Sequence, residues 1–215
     1  MDNLNYILKK YNLTPGTDPR IQIPNINRVT LTGWFHDLNF KIGVEVGVAA
    51  GEYSLEIYTN NPQLEKLYGV DPYIPLFGYK DYKRERTFSK LLSDAEGRLD
   101  KLPKYQFIRD TSMQAVKEFK DSSIDFVYID ANHSDPWVTQ DITEWTKKVR
   151  VGGIVSGHDY TSPQSRSFPV NYNVKEAVGK YTKEHNINPW FVLGSFNKVK
   201  GEVRDSARSW AFVKL

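Results

Sequence analysis

The stretch KIGVEVGVAAGEYS, residues 41–54, joins an apolar run to a segment with a helical pattern through a short turn. The turn carries Gly47 and Gly51. Glycine is favoured in such turns where another group must come close to the backbone. The turn therefore predicts a ligand site, and the candidates are a dinucleotide, a nucleotide phosphate or a different cofactor.

Outside this turn, apolar runs alternate with helical patterns. Strands are predicted at residues 42–48, 66–71, 106–109, 124–130, 153–157, 190–193 and 209–214. Helices are predicted at residues 4–11, 51–59, 84–101, 112–119, 136–149 and 174–185. This alternation predicts an α/β fold with a mainly parallel sheet of seven strands and helices on both faces. A short polar segment joins the last two strands, which predicts an antiparallel pair at the sheet edge.

Composition narrows the functional classes. The chain has 215 residues, enough for one domain with a real core, and 40% of them are hydrophobic. It has 29 basic and 26 acidic residues, a net charge of +3, which is too balanced to indicate nucleic-acid binding by charge alone. It contains no cysteine, so thiolate chemistry is excluded. No signal-peptide pattern or membrane-length apolar run is present, and a cytoplasmic location is expected.

Carboxylates stand at or near the end of each of the first five predicted strands: Glu45, Asp71, Asp110, Asp130 and Asp159. Ligands of open α/β sheets bind beyond these carboxyl ends. An acidic residue just before the glycine turn disfavours a pyrophosphate, and the turn matches neither G-x-G-x-x-G nor a P-loop. S-adenosylmethionine carries a sulfonium and an ammonium but no phosphate, so carboxylates suit it. It is the predicted cofactor.

Four segments carry a resemblance to a known family: VEVGVAAGEYS, LYGVDPY, FIRDTS and DFVYIDANHSDPWVTQDITEWTKKVRVGGIVSGHDY. In this order they resemble the motifs of class I S-adenosylmethionine-dependent methyltransferases. The similar branch has Asp-x-x-His after strand four and includes small-molecule and sugar O-methyltransferases. The resemblance covers residues 34–215 and implies a Rossmann-like, seven-stranded sheet with a reversed last strand. Residues 1–33 are then a helical, Pro-rich arm, which either covers the site or binds a second subunit in a homo-oligomer.

The resemblance also implies contacts to the cofactor. It assigns Glu45, Gly47 and Gly51 to the methionine end, Asp71 to the ribose, Asp110 and Ser112 to the adenine, and Asp130 to the methyl-donor centre.

Methyl transfer to a hydroxyl requires an aligned acceptor and removal of its proton. Asp130 lies at a predicted strand end and His133 in the loop that follows, where both can face the pocket. His133 is the predicted general base; the alternative is that it caps the helix starting near residue 136. His158 is predicted to orient the acceptor, or it is an ordinary strand-end histidine. Asp130 and Asp159 match the carboxylate pair that holds Mg²⁺ in some relatives, although Tyr160 follows where those have asparagine.

Two loops, residues 72–86 and 161–173, are predicted to form a lid and an acceptor wall, or are plain connections. The predicted activity is O-methylation of a small-molecule hydroxyl. The alternatives are a nucleic-acid or protein methyltransferase, and a non-catalytic nucleoside-binding protein of the same fold. The segment DANH stands where amino-methylating relatives have Asn-Pro-Pro-aromatic, which disfavours a nucleic-acid acceptor. The turn also disfavours a nicotinamide-dependent oxidoreductase.

Overall fold

The computed structural model describes residues 2–75, 84–161, 172–197 and 199–215. Its strands are β1 (Arg20–Ile23), β2 (Ile42–Val46), β3 (Lys66–Val70), β4 (Tyr105–Ile108), β5 (Ile124–Ile129), β6 (Val149–Gly157), β7 (Trp190–Leu193) and β8 (Trp210–Val213). Its helices are α1 (Asn3–Lys10), α2 (Arg28–Asp37), α3 (Glu52–Asn60), α4 (Glu85–Leu99), α5 (Ser112–Ala115), α6 (Trp137–Lys148) and α7 (Val174–Glu184), and a 3₁₀ helix, Val116–Glu118, continues α5.

The strands form one sheet in the order β1-β7-β8-β6-β5-β2-β3-β4. All neighbouring strands are parallel except β8, which runs antiparallel to both β6 and β7. The predicted α/β fold with a mostly parallel sheet and a reversed last strand is confirmed. In the register, Val46 pairs with both Val70 and Ile129, so the carboxyl ends of β2, β3 and β5 lie level with one another. The residues that follow these ends share one edge of the sheet.

The strand count of seven is wrong, because the structure has an eighth strand, β1, in the Pro-rich arm. This strand pairs in parallel with β7, and its flanks are fixed by 2.8 Å hydrogen bonds from Trp190 N to Pro19 O and from Gly194 N to Ile23 O. Four residues between prolines, only one of them buried, leave no strand pattern in the sequence. The antiparallel pair of β7 and β8 therefore lies inside the sheet, and β1 forms the edge.

Helix α2 is a second element that the sequence pattern does not predict. It begins with a capping box, in which Asn27 and Thr30 bond reciprocally, and it buries Leu31, Trp34 and Phe35. The predicted boundary between residues 33 and 34 lies inside this helix. The predicted helix at 112–119 is shorter than expected and ends as a 3₁₀ turn.

Two hydrophobic clusters cover the two faces of the sheet, as β5 illustrates. Phe126 and Tyr128 point into the cluster formed with α1 to α4, whereas Val127 and Ile129 point into the cluster formed with α6 and α7. This alternation is that of a strand buried on both faces, and it confirms helices on both faces. None of the helices in the described ranges is both long and apolar enough to cross a membrane.

Candidate active site

A cavity of about 470 Å³ opens at the carboxyl ends of β2, β3, β4 and β5. Its polar lining comes from strand ends and from two helices, and its apolar lining from the surrounding loops and helices. The lining includes Gly47, Asp71, Asp130, Ser112, Asp141, Gln140, Met113, Trp137 and Phe88. The cavity therefore lies where ligands bind in open α/β sheets.

The glycine turn is shaped by the protein's own backbone. Gly47 has φ +93°, and a Cβ there would lie 2.1 Å from the carbonyl oxygen of Asp130. Gly51 has φ +80°, and a Cβ there would lie 2.7 Å from Leu99 Cδ1 of α4. Gly47 lines the cavity and Gly51 does not, since Gly51 instead precedes α3 and packs under α4. These glycines let β5 and α4 approach closely, whether or not a ligand is present.

Asp71 lines the cavity and ties the end of β3 to the glycine turn. Its Oδ2 accepts hydrogen bonds from the backbone N–H groups of Val48 and Ala49, each at 3.0 Å, and its Oδ1 accepts one from Tyr73 N at 2.9 Å. Burial raises the pKa of Asp71, and the three backbone hydrogen bonds oppose that rise. The carboxylate predicted to hold a ribose thus also holds the turn.

Glu45 lies beneath the cavity and does not line it. It is 2% exposed and accepts a hydrogen bond from the Ser54 hydroxyl, which lies 2.9 Å from the Tyr105 hydroxyl. Burial raises the pKa of Glu45 to about 8, although the bond from Ser54 acts in the opposite direction. The sequence argument that this carboxylate repels a pyrophosphate therefore has no support in the geometry, because the side chain points into the core.

Of the two residues after β4 that were expected to border the adenine, Asp110 and Ser112, only Ser112 lines the cavity. Asp110 is exposed, accepts a hydrogen bond from Thr111 N at 2.7 Å and does not line the cavity. Ser112 does line it, but its hydroxyl donates to Asp141 and accepts from Trp145 Nε1 at 2.9 Å. Burial raises the pKa of Asp141 to about 7, against the effect of the Ser112 bond. Asp141 was missed because nothing in an amphipathic helix sequence marks a carboxylate that contacts a serine 29 residues away.

Four of the predicted residues form one charged cluster at the end of the cavity. His133 Nε2 lies between two carboxylates, 3.3 Å from Asp130 Oδ1 and 3.0 Å from Asp159 Oδ2. His158 Nδ1 lies 3.4 Å from Asp159 Oδ2 and 3.9 Å from Asp130 Oδ1. The ring of Tyr172 packs on His133 with a centroid distance of 4.6 Å. Asp130 is the residue common to the cavity and the cluster.

Charge pairing decides the protonation of the cluster. Burial alone would raise the pKa of Asp159, but hydrogen bonds from His133 and His158 outweigh it and hold that pKa well below its usual range. Burial alone would lower the pKa of His158, but Asp159 and Asp130 raise it above its usual value. Asp159 is therefore ionised at neutral pH, and His158 is biased towards its protonated form.

Arg28 is a further member of the site that the sequence does not reveal. Its Nη1 lies 3.7 Å from Asp130 Oδ2, and its guanidinium lies 5.3 Å from the centre of the Tyr53 ring. Its backbone N–H donates to Asp205 Oδ2 at 2.8 Å. The residue was missed because it is the first residue of α2, a helix that was not predicted.

The cluster also offers donor atoms for a cation, since ligand atoms of Asp130, His133 and Asp159 lie within 4.8 Å of one another.

The structure describes the two predicted loops, residues 72–86 and 161–173, only in part. Residues 76–83 of the predicted lid and residues 162–171 of the predicted acceptor wall lie outside the described residues.

Comparison with known proteins gives a family and a fold. A family described as "Methyltransferase domain" matches residues 44–160, and no curated protein matches the sequence. The O-methyltransferase TomG from Streptomyces achromogenes, solved in complex with SAM, is 13% identical, with a TM-score of 0.59 over 100% of this chain and 90% of its own. An O-methyltransferase family protein from Burkholderia thailandensis is 12% identical, with a TM-score of 0.55 over 86% of this chain and 57% of its own.

Spermidine synthase from Thermotoga maritima is also similar, at 15% identity and a TM-score of 0.54 over 84% of this chain and 56% of its own. Identities this low establish a shared fold only, and one fold carries several group transfers.

Proposed function

This chain belongs to the methyltransferase-domain family and is an S-adenosylmethionine-dependent methyltransferase, and on that premise we propose that it methylates a hydroxyl of a small molecule. The observation that carries the proposal is the position of His133, whose Nε2 lies between the carboxylates of Asp130 and Asp159 beside the cavity. Such an arrangement supports removal of a proton from an acceptor hydroxyl. The two O-methyltransferases of similar fold agree with this activity.

The cavity lining supports a binding mode for the cofactor. Gly47 and Asp130 would border the methionine end, and Asp71 would accept hydrogen bonds from the ribose. The apolar side chains of Met113 and Trp137 would flank the base. In this pose the methyl group lies towards Asp130, and the charged cluster lies next to it.

His133 would act as the general base. Its Nε2 faces two carboxylate oxygens, which would orient the ring, and the imidazole would take the proton of the acceptor. The hydroxyl oxygen bonds to the methyl carbon while the carbon–sulfur bond breaks. The products are a methyl ether and S-adenosylhomocysteine. Asp130 and Asp159 stabilise the imidazolium that forms.

The test is the variant His133→Ala, assayed for methyl transfer to a panel of phenolic and sugar hydroxyls. We expect kcat to fall by about 10²- to 10⁴-fold, the usual contribution of a general base. Affinity for S-adenosylhomocysteine, measured by calorimetry, should change little, because the histidine does not line the cofactor cavity. His36→Ala, an exposed histidine on α2, is the matched control and should keep full activity. Unchanged turnover at saturating acceptor in His133→Ala would remove the base assignment.

A divalent cation held by Asp130 and Asp159 is the alternative means of activating the hydroxyl. Mg²⁺ prefers oxygen donors and bound waters, whereas the space between these carboxylates holds an imidazole nitrogen. The donor set therefore suits a cation that accepts imidazole nitrogen, such as Zn²⁺ or Fe²⁺, better than Mg²⁺. If a chelator abolishes activity and one metal restores it, the metal replaces His133 as the activating group.

A nucleic-acid or protein acceptor, and a non-catalytic nucleoside-binding protein, are the competing hypotheses. The net charge of +3 gives little support for nucleic acid. Assays with RNA, DNA and protein acceptors beside the small-molecule panel separate these cases, and cofactor binding without any turnover would favour the non-catalytic one. The expected homo-oligomer and cytoplasmic location stay predictions.

A further inference from the structure

Asp141 is a buried carboxylate in the wall of the cofactor cavity. Only 3% of the residue is exposed, and it lies on α6 opposite Ser112 of α5. Its Oδ1 accepts the hydrogen bond from Ser112. Within the part of the chain that the structure describes, Oδ2 accepts no hydrogen bond. Because Asp141 lines the cavity, Oδ2 is the oxygen that a bound ligand would meet.

Oδ2 meets the cavity and no protein donor among the described residues, so a ligand that supplies an N–H here gains a hydrogen bond to this carboxylate oxygen. Burial raises the pKa of Asp141 to about 7, and the hydrogen bond from Ser112 and the charge of His133 oppose that rise. The neighbouring side chains of Met113, Trp137 and Phe88 make an apolar lining that suits a flat aromatic ring. The position therefore fits the base of a nucleoside.

We infer that Asp141 recognises the base of the cofactor by accepting a hydrogen bond from its exocyclic amino group. This inference rests on the proposed function, since it takes S-adenosylmethionine as the ligand. Asp110, the carboxylate that the family resemblance assigns to this task, is exposed and outside the cavity lining. Asp141 takes that role from a different element of the chain.

The inference has a chemical consequence that can be measured. The 6-amino group of adenine donates a hydrogen bond, whereas hypoxanthine has a 6-oxo group that only accepts. At a pH above the pKa of Asp141, about 7, a carboxylate oxygen that faces a 6-oxo group leaves two acceptors without a proton between them. A site built around a specific hydrogen bond rejects the analogue that lacks it. The protein should therefore prefer S-adenosylhomocysteine to S-inosylhomocysteine.

Calorimetric titration of both nucleosides at about pH 8.5, above the pKa of Asp141, into the wild type, Asp141→Asn and Glu144→Gln tests this. We expect the wild type to prefer S-adenosylhomocysteine by about tenfold or more. In Asp141→Asn the amide oxygen keeps the bond from Ser112 and the NH₂ group faces the base, so the preference should vanish or reverse. Glu144→Gln removes a charge from the same helix outside the cavity and should keep the wild-type ratio.

Each outcome bears on one of the two proposals. Equal affinity of the wild type for both nucleosides overturns the inference, as does an unchanged ratio in a folded Asp141→Asn. If that variant does not fold, Asp141→Ser is the second variant, and its ratio should fall to near one. A preference lost in Gln140→Ala but kept in Asp141→Asn would assign the recognition to Gln140, the exposed neighbouring amide in the lining, and overturn the inference. A wild type that binds neither nucleoside overturns the proposed function and the inference with it.

Discussion

Asp71 uses both of its carboxylate oxygens on the protein itself. Oδ2 holds the two N–H groups of the glycine turn, and Oδ1 holds the N–H of Tyr73. A ribose hydroxyl would have to share oxygens that already accept hydrogen bonds, which a carboxylate can do because each oxygen has two lone pairs. The residue therefore couples the shape of the turn to the binding of the cofactor.

Asp71→Ala should consequently lower both stability and affinity. Three backbone N–H groups would lose their acceptor, and we expect the free energy of unfolding to fall by about 1–3 kcal/mol. Affinity for S-adenosylhomocysteine should fall about tenfold or more, because the turn relaxes and the ribose loses its acceptor. Thermal unfolding with and without ligand separates the two effects. Glu52→Ala, an exposed residue beginning α3, is the control. An affinity equal to that of the wild type would mean that the cofactor lies elsewhere.

At the scale of elements, the tight crossing of the glycine turn over the end of β5 positions Asp130. The turn and Asp130 are in direct backbone contact, since Asp130 N donates to Val46 O at 2.7 Å and Gly47 faces the Asp130 carbonyl. Any side chain at position 47 must therefore displace either the glycine turn or the backbone of Asp130. The charged cluster begins at Asp130, so such a displacement reaches the proposed reaction centre.

Gly47→Ala should therefore weaken cofactor binding and methyl transfer together. A Cβ at 2.1 Å from a backbone oxygen, on a residue with φ +93°, forces the turn and the end of β5 apart. We expect loss of most activity and a lower thermal transition. Gly97→Ala is the matched control. Position 97 lies inside α4, and a Cβ there would meet no atom within 4 Å outside the adjoining backbone of its own helix, so this variant should stabilise the protein by about 0.5–1 kcal/mol. Full activity in Gly47→Ala would contradict this account.

The elements differ in how well the sequence predicts them, for physical reasons. Strands such as β5 are mostly apolar on both faces and are bounded by polar turns, so the local sequence is enough to predict them. Strand β1 has one buried residue and depends on pairing with β7, a contact about 170 positions away that no local pattern encodes. The members of the charged cluster follow strands that the sequence predicts, so their closeness at one sheet edge could be expected. Asp141 and Arg28 instead reach the site from α6 and α2, through contacts that no local pattern encodes.

The arm is part of the core, as helix α1 shows. Ile7 is fully buried, and Asn3 Nδ2 donates to Gly152 O at 2.6 Å, which joins α1 to β6. Ile7→Ala should lower the free energy of unfolding by about 2–4 kcal/mol, because it opens a cavity in a packed interior. Lys9→Ala, on the exposed side of the same helix, should change it by less than about 0.5 kcal/mol. Equal denaturant midpoints for Ile7→Ala and the wild type would show that α1 contributes little to the core.

For the whole molecule, the dependence of stability on pH is set by buried carboxyl groups whose pKa values are shifted in opposite directions by folding. The pKa of Asp159 is lowered, so its stabilisation is present above its unfolded value and is lost as the pH falls towards the folded one. Burial raises the pKa of Glu45 to about 8, so its protonated form favours folding. That contribution is complete below its unfolded pKa of 4.5 and is lost as the pH rises towards about 8. The raised pKa of His158 acts in the same direction on the alkaline side.

The protein should therefore be most stable in mildly acidic solution and lose stability as the pH rises from about 4.5 to about 8.5. Glu45→Gln imitates the protonated carboxyl and keeps a partner for Ser54. This variant should lose less stability over the same range and should exceed the wild type at about pH 8.5. Thermal unfolding at both pH values measures this, with Glu144→Gln as the control for removing one half-buried charge outside the cavity. Parallel stability curves for the wild type and Glu45→Gln would mean that Glu45 is already ionised in the folded state. The assignment of an uncharged carboxyl beneath the cavity would then be wrong.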